Sequence, residues 1–600
     1  MRQTSWHFSR FINPGVFCAA LAAFSLQAAP SIESVTKNQE SVGKYEKLEL
    51  TVAMTAATYD NPYDPDQIDL SAEFTSPAGK VWKINGFYGA EQAATPAAPA
   101  GARGGRGGVA LTNPAWKIRF AANETGTWSY VVHVRDFSVL PPGGEGAVGY
   151  AEMLREARTA QPALGTFSCT DSKLHGWVRV APNKRYLACD DGTSFYGVGV
   201  CHAWSVSQTT LTQMQGLGFN TYVYWNGTYD SAGGDNLIAS MSSGVDRYDQ
   251  GKCGRLDNLI NWSAERGIGM ILVIWPHDYL CDNHGDMGTW PSKWTLNPFN
   301  RIVSSTNFYT DAKCWDLQAK MYRYIIARWG YSVGLEGWQT IDEIDGTTSD
   351  KYNRAAGNLW TAKIAKFFQT NDPFKHPTNA SFGAFWDEGD KANDLSNTEH
   401  YGSSDPTTVV NVVRKLWNGY EKPCIIGESS LDRTAPQAHD RLWSSLVGGI
   451  AVTPLLWQFN QGWNASAAAQ YPAFNKFIAD INFGGLVNPA PAKVTIPGVN
   501  AWGITSDQIT FGWITGEAAS SGGRRGTPAP AAAPATPISG KTLTVSGLRD
   551  GAYRMEWWDC ATGNTVATST VTAANGSVTS QVPATTQADL AFKIIQAKTQ

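Results

Sequence analysis

Several things are missing from this sequence, and each absence closes a class of function. There is no C-x-x-C pair and no cluster of Cys and His at metal-ligand spacing, so neither a zinc module nor a dithiol redox centre is expected. No H-E-x-x-H occurs, and a protease or esterase reading is remote. Basic runs are absent, and Lys+Arg 48 against Asp+Glu 52 leave a net charge of -4. A phosphate backbone would meet no electrostatic footprint, so nucleic acid is not an expected partner. No segment approaches 18 consecutive apolar residues, so no membrane anchor is expected. Charged residues are themselves scarce at 17%, beside 42% hydrophobic, which is a globular balance.

What is abundant is aromatic surface: 24 Trp, 22 Tyr and 24 Phe. Most such rings fill cores. They also offer flat apolar faces with an N–H or O–H at the edge, which suits the stacking of sugar rings. Six hundred residues exceed one core, so two to four domains are expected.

Residues 1–28 read as an export signal: Arg2 and Arg10 are followed by the apolar stretch Val16 to Leu26 and a small-residue cleavage site at Leu26-Gln27-Ala28. Phe17 before Cys18 is a poor fit to a lipid-attachment signal. The mature chain is therefore expected to be secreted or periplasmic. Eight cysteines remain, at 169, 189, 201, 253, 281, 314, 424 and 560. Eight allow about 105 pairings, so disulfides are open, but Cys201 and Cys424 sit in apolar strand-like runs that favour buried thiols.

Three textures succeed one another. Residues 29–170 alternate apolar and polar residues in short runs such as Leu48–Ala53, Lys80–Ile84 and Thr127–Val134, the pattern of a β-sandwich. Ala/Pro/Gly-rich segments near 91–109 and 517–537 read as loops. Over 171–484 eight strand candidates alternate with amphipathic helices: 195–204, 219–225, 270–277, 334–343, 378–382, 395–401, 423–428 and 453–459. Leu256, Leu259, Ile260 and Ala264 mark one helix, and Leu317, Met321, Tyr324 and Ile325 another. A third follows Leu442, Trp443, Leu446 and Val447. That is the expectation for an α/β chain with a central (β/α)8 barrel, the runner-up being a doubly wound sheet, which lacks its Gly-rich loop. Residues 485–600 return to strands and read as a second, smaller β-sandwich.

Barrels carry their active sites at the C-terminal strand ends. The fourth strand candidate ends Asp342-Glu343-Ile-Asp345 and the seventh ends Gly-Glu428-Ser429, each setting a glutamate where an apolar strand meets solvent. The other ends carry His202 and Trp204, Trp225 and Asn226, His277 and Asp278, Glu399-His400-Tyr401, and Trp457. Two carboxyls about 5–5.5 Å apart suit a retaining glycosidase, and a wider gap suits inversion.

Here the chain resembles the large clan of retaining glycosidases on (β/α)8 barrels, clan GH-A. More narrowly it is similar to bacterial proteins with an N-terminal DUF5060-type β-domain and a C-terminal β-sandwich. Phe195-Tyr-Gly-Val-Gly-Val-Cys-His-Ala-Trp204 and Asp550-Gly-Ala-Tyr-Arg-Met-Glu-Trp-Trp-Asp559 carry that likeness over nearly the whole mature chain. The resemblance implies Glu343 as general acid/base, Glu428 as nucleophile, Tyr401 bonded to the nucleophile, and Trp457 beneath the sugar. It also implies an Asn before the acid/base to contact the sugar 2-hydroxyl, where this chain has Asp342.

The bland readings stand beside these. Glu428 could be an ordinary strand-end acid, and Glu343 is one of three neighbouring acids. His277 and His400 could be structural, and Trp290 and Trp294 could simply pack a loop. The spacing of His277, Asp278, Asp282 and His284 matches no metal pattern, so neither metal nor cofactor is expected. The expected function is hydrolysis of β-linked polysaccharide, with an endo mode on a β-glucan or related polymer as the leaning. The alternative is a non-catalytic carbohydrate-binding or adhesion protein on a degenerate barrel. Oligomeric state is not legible.

Overall fold

The computed structural model describes residues 30–55, 59–92, 110–137, 158–226, 238–282, 292–429, 435–457, 465–516 and 537–597. The expected export signal and most of the two Ala/Pro/Gly-rich tracts lie outside these residues.

The first sheets form where alternation was strongest. Ile32–Lys37, Lys47–Met54, Ala115–Ala121 and Phe87–Gly89 make a four-stranded sheet. Ser41–Gly43, Ala163–Thr170, Gly126–Asp136, Ile68–Thr75 and Val81–Asn85 make the second, with Arg158–Thr159 beside Gly126–Asp136. Phe74 of the second sheet stacks on Phe120 of the first at 4.2 Å, and within the second Trp128 stacks on its cross-strand partner Phe167 at 6.1 Å.

All eight central strand candidates are present. We number them β1 Gly199–Cys201, β2 Thr221–Trp225, β3 Gly269–Val273, β4 Leu335–Gln339, β5 Thr378–Asn379, β6 Ser396–His400, β7 Cys424–Ser429 and β8 Leu456–Trp457. They pair in the order β5-β4-β3-β2-β1-β8-β7-β6, with every neighbour parallel. The remaining seam is nearly closed, because Leu395 N–H donates to Thr378 O at 3.0 Å and Asn397 Nδ2 to Asn379 Oδ1 at 3.1 Å. β2, β3, β4 and β7 are buried at every residue, as strands covered on both faces must be. The three helices read from periodicity appear as Gln250–Glu265, Ala312–Trp329 and Ala435–Gly448.

The chain is therefore a (β/α)8 barrel flanked by β-sheet units, the last built on Asn500–Thr505, Ile509–Thr515, Gly551–Asp559 and Asp589–Gln596. A small antiparallel sheet, Val178–Val180, Leu187–Cys189 and Ser194–Phe195, precedes β1, where sequence showed no separate element. Among the described residues no disulfide joins any of the eight cysteines; Cys201 and Cys424 are buried thiols. Gly330-Tyr-Ser-Val-Gly334 has the G-x-S-x-G spacing but runs from a helix end into β4, the reverse of a strand-to-helix nucleophile elbow. Among the described residues no helix is long and apolar enough to cross a membrane.

Charge fastens the first sheet to the barrel. Arg119, 2% exposed, meets Glu49 at 2.8 Å and Asp257 of the helix Gln250–Glu265 at 2.7 Å. Arg328 of the helix Ala312–Trp329 meets Asp257 at 2.5 Å and donates to Ala90 O at 2.7 Å, and Trp329 Nε1 donates to Asp257 at 2.8 Å. Burial alone would raise these carboxyls, but the guanidinium groups, with Lys117 for Glu49, overcome it: Glu49 is lowered to about 2 and Asp257 further. On the opposite flank His439 Nε2 lies 2.8 Å from Asp589 Oδ2 of the C-terminal sheet, which also accepts from Trp513 Nε1 at 2.7 Å. Burial opposes the His439 charge, yet Asp589 prevails and raises it to about 9.

Removing one partner from a buried ion cluster leaves the others unpaired, at about 3–5 kcal/mol. Asp257→Ala should cost that much in calorimetric unfolding, whereas Lys83→Ala, breaking the exposed pair with Glu73 at 3.2 Å, should change little. The two flanks respond to opposite pH. Depressed carboxylates stabilise fully above their unfolded value of about 4, and that stability is lost as pH falls toward about 2. The raised His439 stabilises fully below about 6.5 and loses its contribution as pH rises through about 9. Limited proteolysis should accordingly open the His439 flank first in alkali; cleavage independent of pH there would remove this account.

Candidate active site

β3 and β4 resume contact beyond their strand ends. Asp342 N–H donates to Trp275 O at 3.0 Å, and Pro276 and Asp342 form an isolated parallel bridge. That contact sets His277 beside Asp342 and Glu343. The chain then turns sharply at Glu343, whose φ of 45° and ψ of 65° are left-handed. A non-glycine residue there stores about 1–3 kcal/mol and persists only when its surroundings fix it. Here Ser381, just past β5, fixes it. The Ser381 hydroxyl accepts the Glu343 N–H at 2.8 Å and donates to Asp342 Oδ1 at 3.2 Å. Gln339 Nε2 donates to the same Asp342 oxygen at 2.6 Å.

β6 and β7 contribute the facing carboxyls through a bulge. Their register runs Ser396 with Cys424, Asn397 with Ile425 and Thr398 with Ile426, then skips Gly427 so that Glu399 lies opposite Glu428. Asn397 causes the skip. Its side-chain oxygen accepts the Gly427 N–H at 2.9 Å, and any Cβ at Gly427 would meet the Asn397 amide at 2.6 Å. Without the extra residue, strand parity would send Glu399 and Glu428 to opposite faces. With it, oxygens of Glu399, Glu428 and Asp342 all lie within 4.8 Å of one another. The Tyr401 hydroxyl donates to Glu428 Oε2 while the residue stays 50% exposed. Burial and the Glu428 charge both push the Tyr401 phenol up, so it remains a donor.

His277 is the cation of the group. Its Nδ1 lies 3.4 Å from Glu343 Oε2 and 3.7 Å from Asp342 Oδ2. Burial works against its charge, but Asp342, Glu343 and Asp278 outweigh burial and raise it to about 9. Glu343, Glu399 and Glu428 are all raised, in each case first by burial; acidic neighbours add to the rise, while His277 and the contact with Glu399 pull Glu343 back and Tyr401 pulls Glu428 back. Glu399, 6% exposed, receives no donor at either oxygen among the described residues and faces Glu343 at hydrogen-bond range.

Three tryptophans wall this group. Trp204 meets Trp225 at 5.8 Å and Trp457 at 5.5 Å, Trp225 meets Trp457 at 5.3 Å, and Trp225 meets the His277 ring at 5.6 Å. His202 is fully buried and lowered by that burial to about 4, so it is neutral. Asn226, 4% exposed, ties β2 to β3 through its N–H to Val273 O at 3.0 Å. His400 is turned toward its own loop, with Nε2 3.0 Å from Ser403 O. Thus Trp204, Trp225, His277, Asp342, Glu343, Tyr401, Glu428 and Trp457 converge, and His400 faces away into a turn. Sequence reasoning missed Gln339 and Ser381, and quoted Glu399 without giving it a role.

Two sets of side chains here have ligand atoms within 4.8 Å of one another, a spacing that could hold a metal ion: His277, Asp342 and Glu343, and Asp342, Glu399 and Glu428. Of the four residues tested for metal spacing, Asp278 pairs with Lys293 at 2.9 Å, and Asp282 accepts from Ser305 and from Thr348 at 3.0 Å. His284, with Trp290, lies outside the described residues.

Comparison with known proteins bears on the fold. Residues 41–135 match the DUF5060 family, a domain of unknown function. A crystal structure from Bacteroides vulgatus ATCC 8482, described as a candidate glycoside hydrolase, is similar at a TM-score of 0.57 and 16% identity. The match covers 93% of this chain and 100% of that one. A glycoside hydrolase family 5 structure from the same organism matches at 0.47 and 12% identity, over 71% of this chain and 94% of its own. No curated protein matches the chain in sequence. The likeness at 0.57 shows a shared fold over almost the whole chain and nothing finer.

Titration of the His277 ring by NMR should give a midpoint near 9 in the native protein. In Asp342→Asn the midpoint should fall toward the ordinary histidine value of about 6.5. An unchanged midpoint would show that Asp342 does not hold the proton there.

Proposed function

We propose that the protein is an exported retaining glycoside hydrolase acting on β-linked polysaccharide. The observation that carries the reading is the meeting of Glu343 after β4 and Glu428 on β7 at one barrel mouth, linked through the Asp342 carboxylate that both approach. The tryptophan wall and a full-length fold neighbour described as a candidate glycoside hydrolase support it. The short reach across Asp342 favours the closer carboxyl pair of a retaining enzyme.

In this reading Glu428 attacks the anomeric carbon while Glu343 protonates the departing oxygen, and water then reverses the exchange. Tyr401 favours the ionised form of Glu428, and His277 steadies the charge left on Glu343 when its proton departs. Asp342 presents its second oxygen, Oδ2, to the mouth beside His277. The mouth carries several carboxyls against one imidazolium, so a neutral polymer such as a β-glucan fits it and a polyuronate is repelled. An endo mode on such a polymer is the working assignment. Export rests on the reading of residues 1–28.

One rival has an observation of its own. Asp342 and the upward push on Glu428 would also suit a barrel that binds sugar without cutting it. Reducing-end release from a panel of neutral and uronate polysaccharides separates the two. Wild type should release ends from a neutral polymer. Glu343→Gln should lose about 10²–10⁴-fold in rate, and Glu428→Gln should stop at the covalent step. Binding without release would favour the rival, and unchanged turnover in both variants would end the hydrolase reading.

A further inference from the structure

Glu399 has no part in the reaction just described, yet the fold goes to some length to place it. The bulge at Gly427 turns it from a neighbour of a glycine into the direct partner of Glu428. Its oxygens are buried, and no donor reaches them among the described residues. The groups that face it are nearly all acidic: Asp342 and Glu343 from the end of β4, and Glu428 from β7. Tyr401 on its own strand gives its proton to Glu428. The one cation nearby, His277, is engaged with Asp342 and Glu343. A buried carboxylate without donors among three others is costly, and a proton placed between Glu399 and Glu343 removes both defects.

We propose that Glu399 and Glu343 share one proton and work as a single acid/base unit, with Glu399 the positioning residue that ties that proton to the charge on Glu428. The catalytic part rests on the glycosidase reading; the shared proton does not. In the free enzyme the pair carries one negative charge and Glu428 another. When Glu428 forms its bond to the anomeric carbon, the bond from that carbon to the leaving oxygen breaks. The shared proton goes to that oxygen, so the pair becomes doubly charged and Glu428 becomes a neutral ester. The charge of the cluster is unchanged; it has moved from β7 to the pair. In the second step water bonds to the anomeric carbon, the ester bond breaks, one water proton returns to the pair, and Glu428 regains its charge. Burial and the Glu428 charge, which push Glu399 up, hold the proton on the pair while Glu428 is ionised. Loss of that charge on ester formation lets the pair release it.

The test compares wild type, Glu399→Gln and Glu399→Asp as full-length chains, with thermal melts to confirm folding. Two readouts are taken: the pH midpoint of the protonated-carboxyl infrared band, and the alkaline limb of kcat/KM on the best polymer of the panel. In Glu399→Gln the last proton would leave only one carboxylate behind, so both midpoints should fall by about one pH unit or more. Glu399→Asp, which keeps a carboxyl, should hold both near wild type while kcat drops. It also serves if the glutamine variant fails to fold. Turnover with both midpoints unmoved in Glu399→Gln would overturn the proposal and leave the glycosidase standing. A shifted infrared band with no turnover by any form would keep the shared proton and sink the glycosidase. Neither turnover nor shift would end both.

Discussion

Like charges confined in a barrel mouth repel strongly. At 4 Å and an effective dielectric of about 20, two carboxylates cost about 4 kcal/mol. Asp342, Glu343, Glu399 and Glu428 are drawn together with one imidazolium among them, so their ionisation is a joint property. Much local structure serves that confinement. The left-handed turn at Glu343 aims one acid, the skip at Gly427 aims two more, and Ser381 and Gln339 anchor the fourth. Together they hold a group that an unconstrained chain would scatter.

The confinement needs a rigid frame, which the flanking sheets supply by different physics. The N-terminal sheet is pinned through buried guanidinium–carboxylate contacts onto two adjacent barrel helices. The C-terminal sheet is attached through a histidine–aspartate contact on the helix that precedes β8. The first attachment involves groups ionised across ordinary pH, and the second depends on a proton.

The fold was legible because strand and helix periods are set by burial, which composition reveals residue by residue. All eight barrel strands fall inside their expected ranges or within one residue of them; Glu428 stands out as the first acid after an apolar run, and Glu343 stands in a group of three acids just past another strand. Glu399 was not legible as a partner of Glu428. Counting alternate residues assumes an unbroken ladder, and an asparagine two residues away breaks it. Ser381 was hidden for a related reason: its importance lies in a backbone angle at Glu343 that no spacing rule anticipates. His400 was a candidate at the same strand end as Tyr401, but one step along a strand reverses direction, and it ends in a local turn.

The contact between Arg119 and Asp257 also has a schedule. Its two ends are 138 residues apart in the chain, the first in the N-terminal sheet and the second in the barrel. At about 5–20 residues per second of synthesis, Arg119 exists for roughly 7–28 seconds before Asp257 has been made. Arg328 follows later still. During that interval Glu49, on the neighbouring strand Lys47–Met54, and Glu91 are the carboxylates already available to it. The N-terminal unit therefore leaves the ribosome with a face that only the barrel can complete, and its final closure is deferred until two helices of the next domain have been built.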